Sequence, residues 1–156
     1  MSISYHLELA TTLSAAEVAR TLHSVSSNTL ESPVPADSAL AGGVTAAGVW
    51  LRVVEVDPKP WNVVVTDLGI KPTVMAVFEP GKTGDVDRQR ADIVRLVSGL
   101  LTHLADDAVL HQDHQTIWLL RRAGTLVVND RDDVWPPELL ALLTPPYERG
   151  ELSFAD

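Results

Sequence analysis

DVDRQRADIVRLVSGLLTHLADDAVLHQDHQTIWLLRRAGTLVVN, residues Asp85 to Asn129, decides the fold. Its apolar residues Val86, Ile93, Val94, Val97, Leu100, Leu101 and Leu104 recur at three- and four-residue spacing. That spacing predicts a helix with one buried face. Asp85 or Asp87 suits the positive N-terminal end, His103 suits the C-terminal end, and Arg88, Asp92 and Arg95 lie in i,i+3 and i,i+4 reach on the wet side. Gly99 costs about 1 kcal/mol in a helix relative to Ala, which points to a close approach by a strand beneath it.

Three β-type runs follow with almost no linker: Ala108 to His111, Thr116 to Arg122 and Thr125 to Asn129. Asp113-His114 and Ala123-Gly124 suit tight hairpin turns, so the segment reads as an antiparallel meander. Strict alternation about those turns puts Ile117, Leu119, Leu126 and Val128 on one face, and Val109, Trp118, Leu120 and Val127 on the other. Both faces are then apolar. The helix, packing through Val97, Leu100, Leu101 and Leu104, covers one; the other must be covered elsewhere or bind something.

Upstream, Ile3 to Ala10 alternates as a half-buried strand. Ser14 and Glu17 fit a capping box and Leu13 with Val18 a hydrophobic staple, predicting a helix from Ser14 to about Val25. Residues 26–43 are rich in Ser, Pro, Ala and Gly and read as a loop or poorly ordered segment. Val49 to Val56 reads as a strand closed by Pro58 and Pro60, Asn62 to Thr66 as a further short strand, and Thr73 to Phe78 as another. Downstream, Pro136 or Pro137 suits the first turn of a short C-terminal helix to about Leu143, ended by Pro145-Pro146. The expected architecture is α+β: a single domain over residues 1–156, with a mostly antiparallel sheet and two main helices on one face.

The chain of 156 residues supports one real core, and its 46% hydrophobic content excludes general disorder. No apolar run approaches the ~20 residues of a membrane span, and no N-terminal leader pattern stands out, as expected of a soluble cytoplasmic protein. With no Cys there are no disulfides, thiolate metal sites or cysteine nucleophiles. The net charge is −9; residues 1–78 carry 7 acids and 4 bases, and residues 79–156 carry 14 and 8. Such a balance disfavours nucleic acid and anionic membranes and favours basic partners.

Motifs for chemistry are weak. Gly81-Lys82-Thr83 lies between a strand and a helix, but Ala76 stands where a phosphate-binding loop needs Gly, and Pro80 removes an N–H donor. His111, Asp113 and His114 offer metal-capable or acid–base groups, with His103 as a neighbour, yet alternation separates adjacent side chains and Asp with His suits a solvated hairpin turn. Asp130, Asp132 and Asp133 lack the Gly and distal Glu of a calcium loop and read as a solvated turn or a charged rim for a basic partner. Trp118, Leu120 and Arg122 share a predicted sheet face and join that acidic turn as candidate partner-binding residues. No catalytic residue, metal ligand or cofactor is expected.

The segments Ser4-Tyr5-His6-Leu7-Glu8-Leu9-Ala10-Thr11, Pro60 to Gly69 (PWNVVVTDLG), Val94-Arg95-Leu96 with Ser98-Gly99-Leu100-Leu101, Ile117 to Arg122 (IWLLRR) and Asp132 to Pro137 (DDVWPP) resemble the swarming-inhibition (Sit) immunity family of polymorphic toxin systems in myxobacteria and actinobacteria. The loop at 26–43 carries none of the likeness. The resemblance implies a cytoplasmic, non-enzymatic antidote that binds and blocks a cognate protein toxin. The alternatives are a small metal-dependent hydrolase using His111, Asp113 or His114, and a non-catalytic oligomerisation module.

Overall fold

Residues 3–154 are described by a computed structural model of the chain; the terminal residues Met1, Ser2, Ala155 and Asp156 of the expected 1–156 domain lie outside them. The elements in chain order are β1 (Tyr5–Ala10), α1 (Ala15–Thr29), α2 (Ala36–Ala41), β2 (Gly43–Val44), β3 (Trp50–Glu55), α3 (Val63–Leu68), β4 (Val74–Glu79), α4 (Val86–His103), β5 (Asp107–Gln112), β6 (Thr116–Arg122), β7 (Thr125–Asn129), α5 (Pro137–Leu140) and β8 (Glu148–Gly150). The strands form one sheet in the order β2-β3-β4-β1-β5-β6-β7-β8. Its pairings are antiparallel except that of β7 with β8. The fold is α+β.

The two long helices, α1 and α4, lie on one face. Val18, Leu22 and Val25 of α1 and Val97, Leu100 and Leu101 of α4, with Leu104 beyond its end, form one core with Leu7, Leu9, Leu51, Phe78, Leu110, Leu119 and Val128 of the sheet. Ser14 caps α1 with the expected capping box, its hydroxyl accepting from the Glu17 N–H while Glu17 reaches back to the Ser14 N–H. Asp85 caps α4 by accepting from the N–H groups of Asp87 and Arg88. Gly99 does answer a close approach, but from α1: a Cβ there would strike Val25. The expected strand is therefore a helix, and the glycine sets how near α1 and α4 run.

Two other expectations are corrected. Val63-Val64-Val65-Thr66 is helix, not strand. Asn62 accepts from the Val64 N–H at 2.9 Å, and Gly69 ends the helix at φ 68, so a start and a stop signal outweigh a β-branched run. Residues 26–43 are mostly ordered into the last turn of α1 and all of α2. There Ser27 and Thr29 bond back to the carbonyls of His23 and Val25, so their hydroxyls are satisfied inside a helix.

The meander β5-β6-β7 forms as expected, but its faces do not. The β5–β6 register shifts so that Leu110 opposes Leu119 while His111 opposes Ile117, leaving Trp118 as a bulged residue. Trp118 consequently shares the α1/α4 core with Leu119, and Ile117 moves to the opposite face with Val109 and Leu120. The bulged Trp118 carbonyl accepts the Trp135 indole N–H at 2.7 Å. Trp118 packs between Tyr5 and Trp135, with both ring centroids 5.3 Å away. The IWLLRR and DDVWPP segments are thus two halves of one bulge.

The second face is covered by α3, whose Val64 and Leu68, with Ile70, pack on Val109, Ile117 and Leu120, joined by Leu152 and Phe154. The adjacent arginines of β6 fasten one helix on each face. Buried Arg121 donates to the carbonyls of Leu101 at 2.7 Å, Asp106 at 2.9 Å and Leu104, at and beyond the C-terminal end of α4. Arg122 donates to the Leu68 carbonyl that ends α3. Each cation meets the negative end of a helix.

Candidate functional site

On the α3 side of the sheet, alternation along β1 sends His6 and Glu8 to the face opposite Tyr5, Leu7 and Leu9. Strand β5 lies beside β1 with His6 opposite His111 and Glu8 opposite Val109. The β5–β6 turn then carries the chain back through Asp113 and His114, at φ 52 and 58, and closes with the Gln115 N–H on the Gln112 carbonyl at 2.9 Å. Two successive left-handed residues make a type I′ hairpin turn, which ordinarily takes Asn and Gly. Asp and His tolerate that region better than most residues, at a cost in strain. Asp113 is tied to the start of the chain, its carboxylate accepting the Ser4 N–H at 3.2 Å and its N–H meeting the Ser4 carbonyl at 3.1 Å.

The result is a compact cluster of one carboxylate and three imidazoles. His111 is 0% exposed and its Nε2 lies 2.6 Å from Glu8 Oε2, with Glu8 itself 4% exposed. The His114 backbone N–H donates to His111 Nδ1 at 3.1 Å. An acceptor at Nδ1 leaves the ring proton on Nε2, which donates to Glu8. The His6 ring stacks on His111 with centroids 4.9 Å apart and planes 7° from parallel, and the His114 ring lies 4.2 Å from that of His111. Burial, then His111 and His114, push the His6 imidazole below its ordinary pKa; burial, then His111, does the same to His114, and Glu8 and Asp113 oppose both shifts. An open cleft of ≈ 370 Å³ reaches this cluster, lined by His6, Glu8, Asp57, Lys59, Asn62 and His114 among others.

Asp113 and His114 are exposed in a hairpin turn, as expected of a solvated turn, whereas His111 is wholly buried. It also gathers Glu8 and His6, which sequence reasoning passed over. Their i,i+2 spacing on one strand face was visible in the sequence; the pairing of β1 with a strand more than a hundred residues later was not. As an acid–base group, His111 is poorly placed, since both ring nitrogens are engaged inside the protein. The ligand-capable atoms of Glu8, His111 and His114 lie within 4.8 Å of one another, a mixed imidazole and carboxylate set.

The six expected partner-binding residues do not form one patch. Trp118 is 5% exposed under the α1/α4 layer and Leu120 is buried beneath α3, because the bulge reverses one and α3 covers the other. Arg122 is exposed but spends a guanidinium nitrogen on Leu68. It sits at the turn end of the β6–β7 hairpin, where it opposes Thr125, whereas the acidic turn follows the far end of β7. Asp130, Asp132 and Asp133 are exposed. Their charge is partly offset: Arg131 forks onto Asp133 at 2.6 and 3.1 Å, holding that carboxyl below its ordinary pKa, and Arg149 reaches Asp132 at 3.4 Å. An exposed aromatic that the sequence did not mark as a contact is Trp61, 75% exposed in the loop before α3.

Gly81-Lys82-Thr83 serves the fold. Gln89 of α4 is buried and its amide donates to the carbonyls of Ala47 at 3.0 Å and Thr83 at 3.1 Å, clamping two loops together, and a Cβ at Gly81 would lie 2.8 Å from the Gly48 carbonyl oxygen. Among the described residues no helix is long and apolar enough to cross a membrane.

Comparison with known proteins returns no match among curated proteins and none among solved structures. A family model described as SitI3-like matches residues 3–139, from the start of the described chain through the bulge-anchoring Trp135 to α5. The chain belongs to the SitI3-like family.

Proposed function

We propose that this chain is a cytoplasmic immunity protein, one immunity-type domain that neutralises a cognate toxin of a polymorphic toxin system by stoichiometric binding, without catalysis. The observation that carries this reading is the family match over residues 3–139. The site chemistry agrees with it. The buried His111 holds both its ring nitrogens inside the protein, one against Glu8 and one against the His114 N–H, so that ring is not placed to act as a general base.

The contact surface we assign to the toxin is the rim formed by Asp130, Asp132 and Asp133, exposed carboxylates on a chain of net charge −9. Such a rim suits a basic toxin and speeds encounter more than it deepens affinity. Trp118 and Leu120 support this rim from within, as packing for the strands that lead to it, and Arg122 ties α3 at the other end of the hairpin.

The test is protection. A candidate toxin from a neighbouring reading frame, expressed alone, should arrest growth; co-expression of this chain should restore it in proportion to its dose. Restored growth with a toxin variant of unrelated C-terminal domain, or no protection at any dose, would overturn the reading. Asp132→Lys with Asp133→Lys should slow association at low salt and lose that effect as salt screens the rim.

A further inference from the structure

We propose that Glu8, His111 and His114 form a site for one zinc-class divalent cation, closing β1, β5 and the β5–β6 turn around the ion and leaving a coordination position open to the cleft. Three observations carry it. The donor atoms already lie within 4.8 Å of one another. They comprise two imidazoles and a carboxylate, the set that suits Zn²⁺, Co²⁺ or Ni²⁺ and that in three-ligand sites leaves a fourth position for water or a partner group. And the turn that delivers His114 holds non-glycine residues at φ 52 and 58, where Asn-Gly would build the same hairpin with less strain, so something other than hairpin formation favours a histidine there.

The ion would enter by exchange. Ligands about 2.0–2.1 Å from a tetrahedral centre stand roughly 3.3 Å apart, so the Glu8–His111 contact of 2.6 Å opens by less than the width of an atom. The ion takes the place of the hydrogen between Nε2 and Oε2. The His111 ring carries its proton on Nδ1 instead, and the His114 amide, which donates to Nδ1 at 3.1 Å, turns away. Two hydrogen bonds are given up for three metal–ligand bonds. The cleft lined by Glu8 and His114 supplies the entry path. His6, stacked on His111, forms a wall of the site.

Calorimetric titration of the chelator-treated, full-length protein with ZnCl₂ tests the proposal. One equivalent should bind saturably, MgCl₂ should give no signal, and Co²⁺ should develop ligand-field absorption on binding. In ¹⁵N spectra the His114 amide should be among the largest shifts on adding Zn²⁺. His114→Ala is the deciding variant, because it keeps the Glu8–His111 pair and its own backbone N–H. It should weaken Zn²⁺ binding by more than the roughly 10–100-fold typical of losing an outer partner. His103→Ala, at an exposed histidine bonded to its own helix, should bind as the parent does. Absence of saturable Zn²⁺ binding, or binding unchanged in His114→Ala, would overturn the site. Toxin neutralisation is read separately, by growth.

Discussion

Replacing Arg121 by Met keeps most of the buried stem and removes a guanidinium whose three contacts end on the carbonyls of Leu101, Leu104 and Asp106. Hydrogen bonds with one charged partner contribute about 1.5–3 kcal/mol each, so three acceptors stranded in a dry site would cost about 4.5–9 kcal/mol. Two facts reduce that. Arg121 lines an open cleft of ≈ 490 Å³, from which water can reach the freed carbonyls. Burial also pushes the guanidinium below its ordinary pKa, with Asp106 and Asp107 opposing, and that desolvation cost disappears with the charge. The expected net loss is about 2–4 kcal/mol, or roughly 4–16 °C in Tm for a chain of this size. Urea denaturation followed by circular dichroism measures it. Arg121→Lys should fall between, since a single ammonium cannot span three carbonyls. A loss below about 0.5 kcal/mol for Arg121→Met would mean that the arginine is not fastening the end of α4 to the sheet.

Trp118→Ala should destabilise the fold by about 3–5 kcal/mol, because the side chain fills the space between Tyr5 and Trp135; calorimetric melting checks it, and a variant melting like the parent would put Trp118 outside the core. In a double-mutant cycle on the metal-free protein, Glu8→Leu and His111→Leu should each cost about 3–5 kcal/mol by stranding a buried partner, and the double variant should recover much of that; simple additivity would show the pair uncoupled. Stability should fall on acidification. His6 and His114 hold folded-state pKa values below the ordinary 6.5, so the unfolded chain takes up protons first. Their contribution is therefore intact above about pH 6.5 and declines below it. His6→Gln with His114→Gln should flatten the profile as the pH falls through about 6.5; an unchanged slope would contradict the burial argument.

The elements legible in the sequence are those specified locally. The 3.6-residue period of α4, the Ser14–Glu17 capping box and the two hairpin turns of the meander each lie within a few residues. What escaped depends on geometry that no local window holds. A single bulge at Trp118 reversed the faces of Ile117 and Trp118, and its anchor, the Trp135 indole, lies outside β6 altogether. Strict alternation then turned a core tryptophan into an apparent contact residue. Helix α3 was hidden by its valines, whose β preference yields to the Asn62 cap and the Gly69 stop. The candidate site was half visible: His111 and His114 stand out as residues, but only the β1–β5 register brings Glu8 and His6 to them.

Polar residues of the segments that resemble the immunity family serve as fasteners. Arg121 and Arg122 hold α4 and α3, Asn62 opens α3, and Trp135 anchors the bulge. These residues hold the scaffold, and the proposed toxin-facing surface is to be sought among the exposed positions of the same segments, such as Asp132, Asp133 and Trp61.

The most direct test of the account is isothermal calorimetry of this purified chain titrated with a candidate toxin domain, taken from a neighbouring reading frame and inactivated by mutation. The account predicts a saturable complex of fixed stoichiometry, with stopped-flow mixing of the same pair showing association slowed by salt and by Asp132→Lys plus Asp133→Lys. The absence of a complex at micromolar concentration, with both proteins folded, would contradict it.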